Sequence, residues 1–301
     1  MLNKTISLIL TILTFPIICQ AASDTGADFL KLGVGARASA MGEAFCAVAD
    51  SVDSIYYNPA GLARLKQKEV SAMYGDKRED TARTLLTYCQ PLEDEDEAGV
   101  FACGIIYQDL GEIETRNNQN QFTGNLNPNE FALLFAYARP YTDNLSIGGN
   151  LKYIQRDLKK VKAKGFALDL GVLYYPQLPD LTLGACLENL GTKIEGDELP
   201  LNLRVGLAYC PIENLTGTID LNQPLYNSKL GTNVGLEYTY NILAVRIGYL
   251  NKGREVSGLT YGFGFKVIAA GFSLRTDFAN VASGKMDGAT KMNRVSMGIK
   301  F

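Results

Sequence analysis

The sequence predicts an all-β protein: a transmembrane antiparallel β-barrel of about fourteen strands with an N-terminal hatch or plug segment. Apolar residues alternate with small or polar residues through most of the chain, which places the two sets on opposite faces of a strand. Most alternating segments approach the ~9–11 residues of a transmembrane β-strand. Short and long connections then alternate along the chain, as they do in membrane barrels.

Residues 1–22 are predicted to be a secretory signal peptide. Lys4 precedes an apolar run from Ile6 to Ile18, and the small residues Ala21 and Ala22 offer a cleavage site. The run is shorter than the ~20 residues of a membrane-spanning helix, so export is favoured over an N-terminal anchor.

Residues 23–65 do not alternate and are predicted to form the hatch, in or under the barrel. A glycine-rich motif comes first, and an Asn-Pro pair, which favours a turn, follows it. Gly33, Gly35 and Ala38 superficially match a dinucleotide fingerprint, but no strand precedes them. The alternative is a small periplasmic cap with no gating role. The motif residues are Gly33, Gly35, Arg37 and Gly42, followed by Asn58, Pro59, Ala60 and Gly61.

Residues 66–301 are predicted to form the barrel. Val295, Met297, Ile299 and Phe301 alternate with polar or small residues up to the end of the sequence, and comparable runs precede them. The predicted strands are 68–75, 81–90, 98–115, 129–139, 144–157, 165–175, 181–190, 199–210, 214–222, 230–239, 242–251, 258–267, 270–279 and 291–301.

The connections and the inward faces favour a bacterial outer-membrane barrel, in contact with membrane lipid, over a soluble β-sandwich. A sandwich alternates too, but its second face meets solvent, whereas here glycines mix with Arg and Lys as in a crowded polar lumen. These inward charges either guide an anionic head group or pair with carboxylates such as Asp220, Asp277 and Glu188. The candidate lumen-lining residues are Arg204, Arg246, Lys266, Arg275, Arg294, Asp169 and Glu237.

The composition argues against an enzyme. The sequence has no His, which removes the Ser-His-Asp and Cys-His systems and the His-dependent zinc sites. The acidic run from Glu93 to Glu97 is interpreted as a solvated turn rather than a metal or catalytic site. We expect no metal, no cofactor and no nucleic-acid partner, since 29 basic residues stand against 32 acidic ones.

The N-terminal motifs carry a family resemblance. Residues 29–38 with Met41 and Gly42, followed by residues 55–62, resemble the N-terminal signature of PorV/PorQ-type outer-membrane proteins and, more distantly, the FadL-like family. The resemblance implies that this stretch folds inside the barrel as a hatch, with Asn58, Pro59 and Ala60 in the plug. The terminal Phe301 resembles the last residue of such barrels, and implies contact of the C-terminal strand with the barrel-assembly machinery.

Two functions are compatible with the sequence. In the first, the barrel passes or binds a small hydrophobic or amphipathic molecule while the N-terminal segment occludes the lumen. In the second, which the resemblance implies, it is a non-transporting component of a type IX-like secretion or attachment system that interacts with exported proteins. An open porin is disfavoured because of the plug-like segment.

Overall fold

The computed structural model describes residues 25–78, 81–92, 99–158, 162–226, 229–252, 257–283 and 290–301. The predicted signal peptide and the acidic run 93–97 lie outside these residues, and the signal peptide stays a prediction. No helix in the described part of the chain is long and apolar enough to cross a membrane.

Fourteen of the described strands form a closed antiparallel barrel, which confirms the predicted fold class. Each strand pairs with its neighbours in sequence, except that β3 pairs with β6, and β1 pairs with β16 to close the barrel. The strands are β1 Glu69–Arg78, β2 Thr81–Pro91, β3 Val100–Asp109, β4 Ile113–Arg116, β5 Phe122–Leu126, β6 Asn129–Thr142, β7 Leu145–Asp157, β8 Lys162–Tyr174, β9 Leu181–Gly191, β10 Asn202–Ile212, β11 Leu215–Pro224, β12 Gly231–Tyr240, β13 Leu243–Asn251, β14 Ser257–Ala269, β15 Phe272–Ser283 and β16 Thr290–Lys300.

The prediction for residues 98–115 as one strand is wrong at its end. β3 stops at Asp109, and Gly111 turns the chain away with a φ of 78° while its N–H donates to the Asp109 carboxylate. β4 and β5 then form a separate hairpin outside the barrel sheet. The N–H of Leu110 donates to the carbonyl of Pro128 and closes the base of this long connection.

The lumenal segment, defined as residues 25–65, runs through the barrel from one end to the other. At the end with the longer connections, the long-loop end, the Gly26 N–H donates to the Glu198 carbonyl. At the opposite, short-turn end, the Arg64 guanidinium donates to the Asp143 carbonyl. The segment contains helix α1 Ala36–Ala40, helix α2 Ser54–Tyr57 and the 3-10 turns Asp28–Lys31 and Pro59–Arg64.

Inward-facing glycines of the strands make room for this segment. A Cβ on Gly248 would lie closer than 3.0 Å to the backbone of Met41 and Gly42, and one on Gly171 would meet Asn58 and Pro59. Gly148, Gly184, Gly235 and Gly262 face other parts of the segment equally closely. The glycines therefore set how near the segment approaches the wall.

We predict that Gly248→Val loosens the lumenal segment without opening the barrel sheet. The added side chain overlaps backbone atoms that have no free space, and such overpacking costs roughly 1–3 kcal/mol. Hydrogen exchange should therefore speed up in peptides covering residues 36–48.

Gly217→Val is the matched control, because Gly217 faces outward and its Cβ would have no neighbour closer than 3.9 Å. Equal exchange in the two variants would contradict the packing role of Gly248.

Candidate functional site

Ion pairs join the lumenal segment to the wall at the short-turn end. Arg37 donates from Nε and Nη2 to Glu237 of the wall, at 2.8 and 2.7 Å, and within the segment it donates from Nη2 to Asp50 at 3.0 Å. The same Glu237 accepts from Arg246, whose Nη1 lies 2.8 Å from Asp277. Arg37 therefore links the segment to a chain of charges that runs along the wall.

Asp53 is a buried carboxylate beside this network. Its Oδ2 lies 4.0 Å from Arg275, and its Oδ1 has no hydrogen-bond partner. Burial raises the pKa of Asp53 to about 6; Arg275 opposes the rise, whereas Glu69 and Asp277 add to it. This carboxyl therefore takes up a proton at a higher pH than an ordinary aspartate does.

Glu43 is the corresponding buried carboxylate at the long-loop end, only 2% exposed. Its Oε2 lies 2.5 Å from Lys252 and its Oε1 lies 3.4 Å from Arg294. Burial by itself raises the pKa of Glu43, but Lys252, Arg294 and Arg204 outweigh it and lower the pKa to about 2. Glu43 thus stays charged because cations of the wall surround it.

Asp220 anchors the middle of the segment. One oxygen accepts the backbone N–H groups of Phe45 and Cys46, at 2.9 and 3.0 Å. Arg204 sits beside it and donates to Glu188 at 2.8 Å and to the Glu43 carbonyl at 3.2 Å. The wall charges therefore bind backbone as well as side chains of the segment.

The Asn58 to Gly61 motif fixes the last turn of the segment. The Asn58 amide donates to the carbonyls of Cys46 and Val172, at 2.9 and 3.0 Å, and accepts the N–H of Ala60 at 3.1 Å. Pro59 begins the 3-10 turn and packs on the wall at Gly148. Gly61 lies so close to Ala49 that a Cβ would overlap it. Each residue of the motif therefore has a packing or hydrogen-bonding role.

The glycine-rich motif surrounds the buried carboxylates. A Cβ on Gly33 would overlap the carboxylate of Glu43, and one on Gly35 would approach that of Asp53. Gly42 has a φ of 67° and sits against carbonyls of β12 and β13. Together with Arg37, these glycines let the backbone pass close to charged side chains.

Two cavities flank the segment. The outer cavity, of about 90 Å³ at the long-loop end, has an apolar part formed by residues such as Leu30, Tyr56 and Leu201. Asn222 also lines it, and neither polar atom of this buried amide has a partner. Its charged lining residues are Lys31, Arg204, Lys229, Lys252 and Glu188. An unpartnered amide in a partly apolar cavity can bind a polar group of a ligand.

The inner cavity, of about 190 Å³, lies at the short-turn end. Arg37 and Glu237 line it, so the ion pairs described above form part of its wall. Lys266 lines it as well, and its side chain is exposed. The two cavities therefore lie towards opposite ends of the barrel; the outer one combines apolar and charged side chains, whereas the inner one is lined mainly by charged and polar ones.

Six of the seven sequence-predicted lumen residues are buried or nearly buried and make ion pairs or hydrogen bonds: Arg204, Arg246, Arg275, Arg294, Asp169 and Glu237. The seventh, Lys266, is exposed and lines the inner cavity. Phe301 follows β16 at the short-turn end, where its N–H donates to the Lys68 carbonyl. Sequence reasoning missed Glu43, Asp53 and Lys252, which lie outside any alternating strand. Glu43 directly follows Met41 and Gly42, and that adjacency is the one sequence signal that points to it.

Comparison with known proteins identifies the family. The family model described as "Type IX secretion system protein PorV" matches residues 19–225. The chain belongs to the PorV family. It is a bacterial outer-membrane protein, and its outward apolar side chains face membrane lipid. No curated protein sequence matches this PorV-family chain.

Solved structures support the fold of this PorV-family barrel. The toluene transporter TbuX of Ralstonia pickettii has a TM-score of 0.64 and 15% identity, over 89% of this chain and 97% of its own. The toluene transporter TodX of Pseudomonas putida has a TM-score of 0.65 and 14% identity, over 89% and 97%. The CymD monoaromatic hydrocarbon channel gives 0.63 and 12%, over 89% and 96%. These likenesses show that the chain shares the barrel fold of those proteins.

The two carboxylates predict a biphasic pH dependence for seating of the lumenal segment. Glu43 contributes stability above its ordinary pKa of 4.5, and this is lost as the pH falls towards about 2. Asp53 contributes fully below its ordinary 3.8, and that contribution is lost as the pH rises through about 6. Amide protection of residues 36–57, corrected for the intrinsic exchange rate, should therefore be greatest above about pH 2 and below about pH 6.

Two variants separate the contributions. Asp53→Asn should reduce the loss of protection on the neutral side, and Glu43→Gln the loss on the acidic side. Protection that stays constant from about pH 7 to about pH 3 in the wild type would refute both assignments.

Proposed function

We propose that this barrel passes a small amphipathic molecule across the outer membrane and that the lumenal segment is the hatch that controls its passage. The observation that carries the proposal is the outer cavity with the unpartnered amide of Asn222. A ligand would place its apolar part against Leu30 and Leu201 and its polar group at the amide, within reach of the cationic side chains.

The hatch closes the path between the two cavities. Its attachment at the inner end depends on the contact of Arg37 with Glu237 of the wall, while Arg37 also pairs with Asp50 of the hatch itself. When Arg37 leaves Glu237, Asp50 moves with it. Arg246 stays with Glu237, so neither charge is left without a partner and the cost of detachment is reduced. Movement of residues near Arg37 would therefore join the outer cavity to the inner one, without loss of barrel pairing.

The outer cavity of about 90 Å³ is smaller than the ~150 Å³ apolar cavity that holds benzene, so its occupant is at most one small ring or a short chain and needs the hatch to loosen as it enters. TbuX and TodX are described as toluene transporters. Benzoate and toluene are therefore suitable probes, since they share a ring and differ in a carboxylate. We expect no enzymatic turnover of either probe.

We predict that Asn222→Leu slows benzoate uptake into proteoliposomes about tenfold, because the variant loses a hydrogen bond to a charged group worth roughly 1.5 kcal/mol. Toluene uptake should change less, since toluene makes no such bond. Asn280→Leu is the matched control: Asn280 is equally buried at 8% exposure and does not line the outer cavity. Unchanged benzoate uptake in Asn222→Leu would overturn the assignment of the cavity.

A second candidate function is the reception of exported proteins in a type IX-like system. The family description favours it, and so does the β4–β5 hairpin, which lies outside the barrel sheet with Ile113 and Phe122 about half exposed. Both edges of a two-stranded hairpin can pair with an extended peptide.

Replacing Ile113 and Phe122 together by Ser distinguishes the two candidates, because the change leaves the barrel wall and both cavities intact. The reception function predicts reduced surface delivery of exported proteins with unchanged benzoate uptake. Unchanged delivery in cells that carry normal amounts of the folded variant would exclude the hairpin as the receiving surface.

A further inference from the structure

Three polar side chains from three consecutive strands meet in the lumen wall. Lys152 on β7 places its Nζ 2.7 Å from Asp169 Oδ2 on β8 and 2.7 Å from Asn189 Oδ1 on β9. The three residues are only 2%, 0% and 4% exposed. The ring of Tyr56, from the lumenal segment, lies 5.8 Å from the Lys152 Nζ. An amine, a carboxylate and a carboxamide therefore share one buried site.

A β-bulge builds this contact. The register between β8 and β9 shifts between Leu168 and Leu170, so that Asp169 lies opposite two residues of β9. Asn189 has a φ of 62°, in the left-handed region. As a result Glu188 and Asn189 are both buried, although strict alternation would turn one of them towards the lipid. The irregularity brings Asn189 to a lysine that is two strands away.

Hydrogen bonds fix the orientation of the reacting groups. Asp169 accepts the backbone N–H of Asn189 at 2.8 Å and the Asn150 amide at 3.0 Å. The Asn189 amide nitrogen donates to the Pro200 carbonyl at 3.1 Å, and its oxygen consequently faces Lys152. The amine is thus held beside the carbonyl group that it would attack, which is the arrangement that proximity catalysis requires.

We propose that Lys152 and Asn189 join in an intramolecular isopeptide bond, with Asp169 as the proton carrier. The Asp169 carboxylate takes a proton from the Lys152 ammonium, and the neutral Nζ attacks Cγ of Asn189. The new C–N bond forms, a second proton passes from Nζ to the amide nitrogen, and the Cγ–Nδ2 bond breaks. Ammonia leaves and takes the stored proton from Asp169 as ammonium, so the reaction needs no oxidant or other reagent.

The bond would link β7 to β9 across β8. This part of the wall also supports the lumenal segment, because Asn150 donates to the carbonyl of Ile55 in α2 at 3.1 Å. A covalent link there would keep three strands in register while the segment moves. Asn189 also lines the outer cavity, but the bond is detected in peptides of the protein and not by uptake of a ligand, so this inference and the proposed function can fail separately.

Mass spectrometry of the protein purified from outer membranes tests the bond. A protease digest of the denatured wild type should contain a branched peptide that joins Lys152 to Asn189, lighter by about 17 Da than its two linear parts. The Lys152→Arg variant keeps a cation beside Asp169 but should give only linear peptides. Unmodified linear peptides carrying Lys152 and Asn189 as the sole products from the wild type would overturn the proposal.

Asp169→Asn tests the proton carrier, because the amide keeps the size of the side chain and cannot accept the lysine proton. Heat-dependent migration on a denaturing gel shows first that the variant barrel has folded. We expect the folded variant to lack the branched peptide. A folded Asp169→Asn barrel that still loses ammonia would exclude Asp169 from the reaction. Whether the bond exists is decided by the digest of the wild type alone.

Discussion

The structure depends on the pairing of buried charges in the barrel wall with the lumenal segment. Charged side chains that face a filled lumen cannot be solvated by bulk water, and each one left unpaired is costly. One oxygen of Asp220 accepts backbone N–H groups of the segment, and Arg83 donates to the carbonyls of Phe29 and Leu32. The wall side chains and the backbone of the segment therefore supply hydrogen-bond partners to each other.

Steric and electrostatic fit act on the same surfaces. Glycines such as Gly248 and Gly171 bring the segment within contact of the wall, and the charges then fix its position. At the inner end Arg37 pairs with Asp50 of the segment as well as with Glu237 of the wall, so it keeps a partner if this end of the segment moves. The proposed hatch would use this arrangement to loosen locally while the strands stay paired.

Two departures from a regular barrel strand occur at the sites for which we propose a function. The bulge in β9 turns Asn189 inward, to Lys152 and Asp169, and the loop between β3 and β6 forms the external β4–β5 hairpin instead of extending the barrel. In a regular β9, alternation would have turned either Glu188 or Asn189 towards the lipid, because it assigns each side chain to a fixed face. Irregular positions in this barrel are therefore the places to look for function.

The sequence by itself determined the closed barrel, its strand number and the outward apolar faces, because alternation with a period of two is a local property of the chain. Inward Arg204 and Arg246 could be predicted for the same reason. The tertiary structure decided the partners: Glu43 meets Lys252, and Lys152 meets Asn189. No local pattern encodes these pairs, since they depend on how the segment threads the lumen and on one shifted register between two strands.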